Sequence, residues 1–396
     1  MRADSQHERE GFRDGAQFFK PAEKRHARDV KCLTSLRFFA AAWVLALHFT
    51  NEMPLQLEGV TSFFTNGRMG VDFFFVLSGF ILTHVYISSL EQERFGFLRF
   101  VQKRLARLYP LHVACILLVA LYLAAGAIVG VYVSNPEVYS LQRLWPNLLL
   151  LHAWGTLDGM SWNYVSWSIS AEWFAYLLFL PLSLLFTRWR APSLTKLLVS
   201  LLFLFAMITL APPLIGRDLT HLTHDFGILR ILPEFTLGIA LYHASRDHDI
   251  DPVRGPWMLL SAVLALILVA HFDLGGMWAV SLLAFVIFAS ASLERQGRLG
   301  FLGNRVLIYL GETSYSLYML HAIVFIVYFR GLGIVFGDSL DAWIWYVGPL
   351  VIPLSLAAAS IGYHFVEVPC RHWITEKVDL EALFRWRSAG KAGEAR

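Results

Sequence analysis

Charge is what this chain lacks. Only 16% of its 396 residues are Asp, Glu, Lys or Arg, where a soluble globular domain carries about 25%. With 56% hydrophobic residues and a mean hydropathy of +0.53, an ordinary water-soluble fold is excluded. Cysteine is scarce as well. Cys32, Cys115 and Cys370 are the whole set, with no metal or redox spacing, so they carry no chemistry that the sequence reveals. There is no internal repeat, no Walker loop and no dinucleotide fingerprint, which argues against an ATP-driven pump. The segment before Leu33 has charges of both signs and no small-residue cleavage site, so it does not read as a secretory signal peptide.

Long apolar runs take the place of charge. Ten are long enough to cross a bilayer, at about 33–51, 69–89, 108–133, 163–187, 193–213, 226–246, 256–272, 275–293, 305–329 and 342–367, and backbone buried in lipid is satisfied most simply as helix. The expected fold is an all-α, polytopic transmembrane helix bundle of about ten spans. Basic residues orient it. With the N-terminus in the cytoplasm, 27 of the 33 Lys and Arg fall inside, four fall in outer loops, and Arg37 and Arg230 lie within spans. That asymmetry supports cytoplasmic N- and C-termini. The chain then divides into a polar, basic cytoplasmic arm (1–32), a transmembrane domain (33–370) and a cytoplasmic tail (371–396).

The few ionisable residues at membrane depth are the candidates for function. In the first span Arg37 and His48 stand eleven residues apart, which returns to nearly the same helix face about 16 Å further on. Snorkelling of Arg37 and end-capping by His48 is the plain alternative. Asp72 sits at the outer mouth of the second span, and Ser78 and Gly79 near its middle suit close helix packing. The segment Phe95–Tyr109 reads as a surface amphipath, with Pro110 opening the third span. On it Arg104 and Arg107 are three residues apart and share a face. Guanidinium pairs match phosphate oxygens, although positive-inside charge alone would also place them there. Leu144–Trp154 is apolar but too short to cross, so it re-enters the membrane or lies on its surface. Glu172 lies deep in the fourth span and needs a partner, a proton or water. Arg230 and Glu234, at i and i+4, read as an internal salt bridge. His221, His224 and Asp225 occupy a polar loop and do not make a convincing metal site. Glu312 and His321 lie in the ninth span, and Glu367 at the cytoplasmic edge of the tenth.

Sorted by depth, arginines collect inside, and His48, Asp72, Glu172 and His321 in the outer half. That division suits a transfer reaction across the bilayer. A histidine beside a carboxylate is the common pair for deprotonating a hydroxyl.

The motifs carry a resemblance. They are Arg37-x10-His48, Gly70-Val-Asp72-x5-Ser78-Gly79-Phe80, Arg104-x2-Arg107-Leu-Tyr109-Pro110, Trp167-Ser168-x3-Glu172-x3-Tyr176 and Ser314-Tyr315-Ser316-Leu-Tyr318-x2-His321. In this order they resemble the acyltransferase 3 family of integral-membrane O-acyltransferases, over about residues 33–370. The resemblance implies a multi-pass protein of the bacterial inner (cytoplasmic) membrane. Its expected reaction moves an acyl group, acetyl in the first instance, from cytoplasmic acyl-coenzyme A to a hydroxyl of a cell-surface or exported carbohydrate. Acetyl-CoA is then a co-substrate, and no permanently bound cofactor, metal or nucleic acid is expected. The partners are acyl-CoA, a carbohydrate or lipid-linked glycan acceptor, and membrane lipids. Arg37, Arg104, Arg107, Tyr109 and Ser78 are expected to bind the donor. His48 is expected to act as general base or transient acyl carrier, oriented by Glu172 or Asp72. His321, Tyr315, Glu312 and Asn163 are expected to line the acceptor chamber, with Tyr315, Ser78 and Asn163 as candidates to stabilise the oxyanion. The competing reading is a proton-coupled exporter, in which the same His and Glu residues relay protons. Paired sequence halves, common in transporters, are not evident.

Overall fold

A helix that is apolar all round is stable only where protein or lipid covers it, and helices of this kind dominate the structure. The computed structural model describes residues 30–378 except 56, 58, 131, 132 and 134. The arm expected over 1–29 and the tail beyond 378 lie outside the described residues. The α-helices in chain order are α1 (Lys31–Glu52), α2 (Met69–Glu91), α3 (Phe97–Ile128), α4 (Leu141–Leu148), α5 (Trp167–Arg188), α6 (Ser193–Ile215), α7 (Gly227–Asp247), α8 (Gly255–Phe272), α9 (Gly276–Arg295), α10 (Arg305–Glu312), α11 (Ser314–Phe336), α12 (Leu340–Val347), α13 (Val351–Gly362) and α14 (Val368–Lys377). A π-helical turn, Tyr363–Glu367, joins the last two.

Eight helical segments among the described residues are long and apolar enough to cross a membrane, and the last of them, Ser314–Lys377, is 64 residues long. It contains both α11 and the α13–α14 pass. The remaining long helix, α7, carries Arg230, Glu234 and Arg246 and lies outside that group, yet it is the most enclosed, with Ile231, Phe235, Leu237, Ile239 and Ala240 fully buried. Its charges are tolerable because protein surrounds them. This is an all-α polytopic bundle, and the protein is a multi-pass membrane protein.

Helix α7 seats against α2 through small residues. A Cβ on Gly79 would overlap the Phe235 carbonyl oxygen, and one on Gly238 would overlap that of Val76. The close approach expected at Gly79 is therefore real. Its neighbour Ser78 has a different task, described below.

Three expectations about the spans change. First, Pro110 does not open a span: α3 runs unbroken through it for 32 residues. At 1.5 Å per residue such a helix is about 48 Å long, well beyond a roughly 30 Å hydrocarbon core. Arg104 and Arg107 lie in its first half, so one continuous helix carries both the basic turns and the apolar span. Second, the ninth span is divided at Thr313 into α10 and α11. Gly311 lies flat against the Thr34 carbonyl of α1, and Glu312, at the break, faces outward and is exposed. Third, the expected boundary at 370 falls within α14, which packs on α3, with the Gln102 side chain donating to the Ile374 carbonyl at 2.7 Å.

The short apolar piece divides in two: residues 144–148 complete α4, and the non-helical backbone after it carries the buried Leu150, His152 and Ala153. After α4 the chain turns inward, and Ser170 of α5 accepts from the Ala153 amide at 3.0 Å and donates to the Leu150 carbonyl at 2.7 Å. Irregular backbone is tolerated at membrane depth where protein encloses it.

The Gly79 contact is testable. Gly79→Ala should lower stability by about 1–3 kcal/mol through overpacking. Gly331→Ala, on α11 with open space around its Cβ, should be neutral or gain up to about 1 kcal/mol. Thermal unfolding in detergent reads the difference, and equal midpoints would contradict the close approach of α2 and α7.

Candidate active site

Helices α1 and α11 run the same way and carry the site between them. Arg37 lines a cavity of about 180 Å³ with Tyr315 and Tyr318 of α11, Ser78 of α2, Arg104 and Arg107 of α3, and Glu172 and Tyr176 of α5. Arg37, Arg104 and Arg107 are thus brought together. Arg104 stacks its guanidinium over Phe100 and Tyr176, at 5.9 and 5.8 Å from the ring centroids. Arg37 and Arg104 form no ion pair among the described residues. Arg107 does. Its Nη1 lies 3.0 Å from Oε1 of Glu367, whose other oxygen accepts from Ser316 at 2.8 Å. Glu367 is 1% exposed and closes the π-helical turn. The wider turn changes which side of the helix that residue faces, and π-turns are often kept at functional sites for this reason.

A second cavity, of about 560 Å³, shares Arg104 and Arg107 as a wall and adds Lys103, Arg371, His372 and Thr375. Arg371 also approaches Glu367, at 3.7 Å. Three arginines and a lysine thus line one opening, with the buried carboxylate of Glu367 behind them.

Glu172 belongs to this arginine-lined cavity, not to His48. Its Oε1 accepts from Ser78 at 2.6 Å and also from the Tyr176 hydroxyl. The hydrogen bonds of Asp72 also lead elsewhere. It accepts from Nε of Arg230 at 2.7 Å, and both side chains are 1% exposed or less. The Arg230 guanidinium lies over the Trp167 ring, 5.2 Å from its centroid. The expected Arg230–Glu234 bridge is therefore replaced by a cross-helix pair between α7 and α2. Glu234 is fully buried with neither oxygen hydrogen-bonded among the described residues. The i,i+4 rule describes isolated helices, and here a tertiary partner outcompetes it.

His48 instead meets Tyr164 and His321. Its Nδ1 is 3.2 Å from the Tyr164 hydroxyl, and the two imidazole centroids are 5.0 Å apart. His321 points Nδ1 at the Tyr318 carbonyl, 2.7 Å away. A carbonyl can only accept, so Nδ1 of His321 carries the proton. Its Nε2 is then a bare lone pair, buried and with no hydrogen-bond partner among the described residues. His321 is 1% exposed, whereas His48 is half-buried and reachable. The Tyr318 ring packs against His321 with centroids 5.9 Å apart, and Tyr318 also lines the arginine cavity. Tyr318 therefore stands between that cavity and His321.

The expected oxyanion donors have hydrogens already in use. Asn163 donates to the Met319 carbonyl at 3.0 Å, Tyr315 to that of Leu108 at 2.6 Å, and Ser78 to Glu172. Tyr109 packs in the core beside His112, with ring centroids 6.4 Å apart, and does not line either cavity. Two residues after Arg107 on a helix point about 200° away. Glu312 lies outside the chamber for the reason given above. Tyr164, Tyr176, Tyr318, Glu367 and Arg371 were not among the expected site residues. Tyr176 and Tyr318 stood inside the quoted motifs, and a lone acid at the end of an apolar span was the available sign for Glu367.

Fold and site together define a multi-pass membrane protein with an arginine-lined cavity beside a histidine pair. Its kind follows from comparison. The family described as the acyltransferase domain matches residues 30–363, and the chain belongs to this acyltransferase 3 family. It is similar to the acyltransferase MdmB of Streptomyces mycarofaciens, 27% identical over 367 residues that cover 85% of this chain and 90% of that protein. It is also similar to the O-acetyltransferase OatA of Staphylococcus aureus, 27% identical over 388 residues that cover 89% of this chain but 59% of that protein. No solved structure matches the chain.

The Asp72–Arg230 pair makes a prediction. Asp72→Ala strands a buried guanidinium, which costs about 3–5 kcal/mol. The double variant Asp72→Ala/Arg230→Met should recover much of this loss in thermal unfolding. If the double variant is no more stable than Asp72→Ala, the two residues are not coupled.

Proposed function

We propose that the protein moves an acyl group, acetyl in the first instance, from acyl-coenzyme A to a hydroxyl of a carbohydrate. The observation that supports this reading most is a pair of cation-walled cavities that share Arg104 and Arg107, the narrower of them lined also by Tyr318, whose ring packs on His321. Phosphates are recognised by guanidinium forks and ammonium groups, and Lys103, Arg104, Arg371 and Arg107 offer these at the wide mouth. The narrower cavity suits a thin, partly polar arm such as pantetheine. Arg37 and Arg104 flank it, and Glu172, steadied by Ser78 and Tyr176, offers an acceptor for its amides. This end faces the cytoplasm in our reading, as the basic residues favour.

The chemistry then needs a base near the end of the arm. His48 takes the proton of the acceptor hydroxyl, because it is the accessible member of the histidine pair. For this the Tyr164 oxygen accepts from Nδ1–H and leaves Nε2 free. The acceptor oxygen bonds to the thioester carbonyl carbon, the C–S bond breaks, and the imidazolium returns its proton to the departing thiolate. The products are an ester and coenzyme A. Neutral imidazole is favoured in an apolar setting, and His321, sealed behind His48, keeps its own lone pair toward the same space. The reading rests on proton removal by His48; a transient acyl-imidazole would use the same atoms.

His48→Ala should reduce transfer of labelled acetyl from acetyl-CoA by at least about 10²-fold, with thermal stability retained. Turnover near the native rate would overturn the assignment. Arg104→Gln should raise the donor KM roughly tenfold, as loss of a charge-assisted contact does, with little change in acceptor KM. Equal effects on both would argue against a phosphate clamp. Transfer in detergent, with no gradient, separates this reading from proton-coupled export.

A further inference from the structure

A third cavity lies at the other side of the histidine pair. It measures about 510 Å³, and Glu52, Tyr122, Tyr139, Phe325, Phe329 and Arg330 are among its walls. Its position follows from helix geometry. Glu52 is one turn beyond His48 on α1, and Phe325 one turn beyond His321 on α11, which places both about 6 Å further along the axis. The Phe325 ring stands edge-on to the His321 ring, with centroids 6.0 Å apart. Phe325 is 2% exposed and forms the floor, while Glu52 and Arg330 are exposed at the rim. Arg37 and Glu52 are fifteen residues apart on α1, or about 22 Å. The arginine cavity and this one therefore approach the histidines from opposite directions.

We propose that this cavity is the acceptor subsite, and that it takes a neutral, polyhydroxylated sugar ring with the hydroxyl to be acylated directed at His48. The inference rests on the acyl-transfer reading above and names its second substrate by class. Three features carry it. Phe325 and Phe329, with centroids 5.9 Å apart, and Tyr139 present ring surface to a small enclosed space, and the C–H faces of sugars pack on such surface. Glu52 and Arg330 make no ion pair or hydrogen bond among the described residues, although they face the same cavity. A hydroxyl both donates and accepts, so neighbouring hydroxyls can donate to Glu52 and accept from Arg330 together. The two opposite charges balance, so neither an anionic nor a cationic sugar gains a net attraction in this cavity. Finally, the Phe325 ring of this cavity stands edge-on to the His321 ring and Glu52 lies one turn beyond His48 on α1, so an occupant here sits beside the histidine pair.

The test uses the full chain in lipid nanodiscs, labelled acetyl-CoA and a panel of neutral, acidic and amino methyl glycosides and disaccharides. Neutral glycosides should be the best acceptors. Glu52→Gln and Arg330→Met should each raise the acceptor KM roughly tenfold, the loss expected for one charge-assisted hydrogen bond, and leave the donor KM within about twofold. Phe329→Ala should raise the acceptor KM as well, and Phe329→Trp should restore it. Native transfer with acceptor KM unmoved in these variants would overturn the subsite while the acyl-transfer reading stands. A preference for acidic or amino sugars would overturn the neutral-ring assignment. Absence of transfer to any acceptor would remove the acyl-transfer reading and this inference with it.

Discussion

A charge inside an apolar bundle must be answered by another polar group, and this constraint decides which helices meet. Moving a carboxylate or guanidinium out of water costs several kcal/mol even after relaxation. Asp72 and Arg230 answer each other between α2 and α7, and glycines on the same two helices let the backbones close around the pair. Arg107, Glu367 and Ser316 do the same for α3, the π-helical turn and α11. Glu172, Ser78 and Tyr176 link α5 to α2. Each network removes a charge from the inventory of reactive groups and assigns it to position others. Arg37 and Arg104 are left without an ion pair among the described residues, as is the Nε2 lone pair of His321. The groups left over line the cavities.

Much of this was legible before any coordinates. The run lengths define the helices, and the motifs define the family. The eleven-residue spacing puts Arg37 and His48 on one face, and the three-residue spacing puts Arg104 and Arg107 on another. What sequence could not supply was partner choice across helices. Glu234 lies one turn from Arg230 and looks like its counterion, yet Asp72, 158 residues away in sequence, takes the hydrogen bond. Glu172 was placed by depth beside the histidine, but depth fixes only one coordinate. The direction in which a residue points around the helix is set by packing, and α5 turns Glu172 toward Ser78. Pro110 suggests the start of the third span, since proline is tolerated in the first turn of a helix and disfavoured inside one. In the structure α3 continues through Pro110 without a break, and α14 packs along it.

The division of the ninth span shows the same lesson at backbone level. Periodicity runs smoothly from Arg305 to Phe329, and nothing in it announces a break. The break comes from a contact, because Gly311 must lie flat on the Thr34 carbonyl. The helix ends there, Glu312 is exposed, and α11 begins at Ser314. Within α11 the spacings of three, three and four residues set Tyr315, Tyr318, His321 and Phe325 along one face.

Helix α1 supplies a matching line, and the pairing of the two gives the eleven-residue spacing its meaning. Arg37 meets the level of Tyr315 and Tyr318, His48 meets His321, and Glu52 meets the level of Phe325 and Arg330. These contacts keep step only if both helices run parallel and neither is rotated. A spacing of ten or twelve would turn His48 by about 100° away from His321 while leaving composition and hydropathy untouched. A snorkelling arginine and a capping histidine would tolerate either spacing. A guanidinium and an imidazole that face the same partner helix at two depths would not, so it is the spacing that puts Arg37 and His48 both against α11.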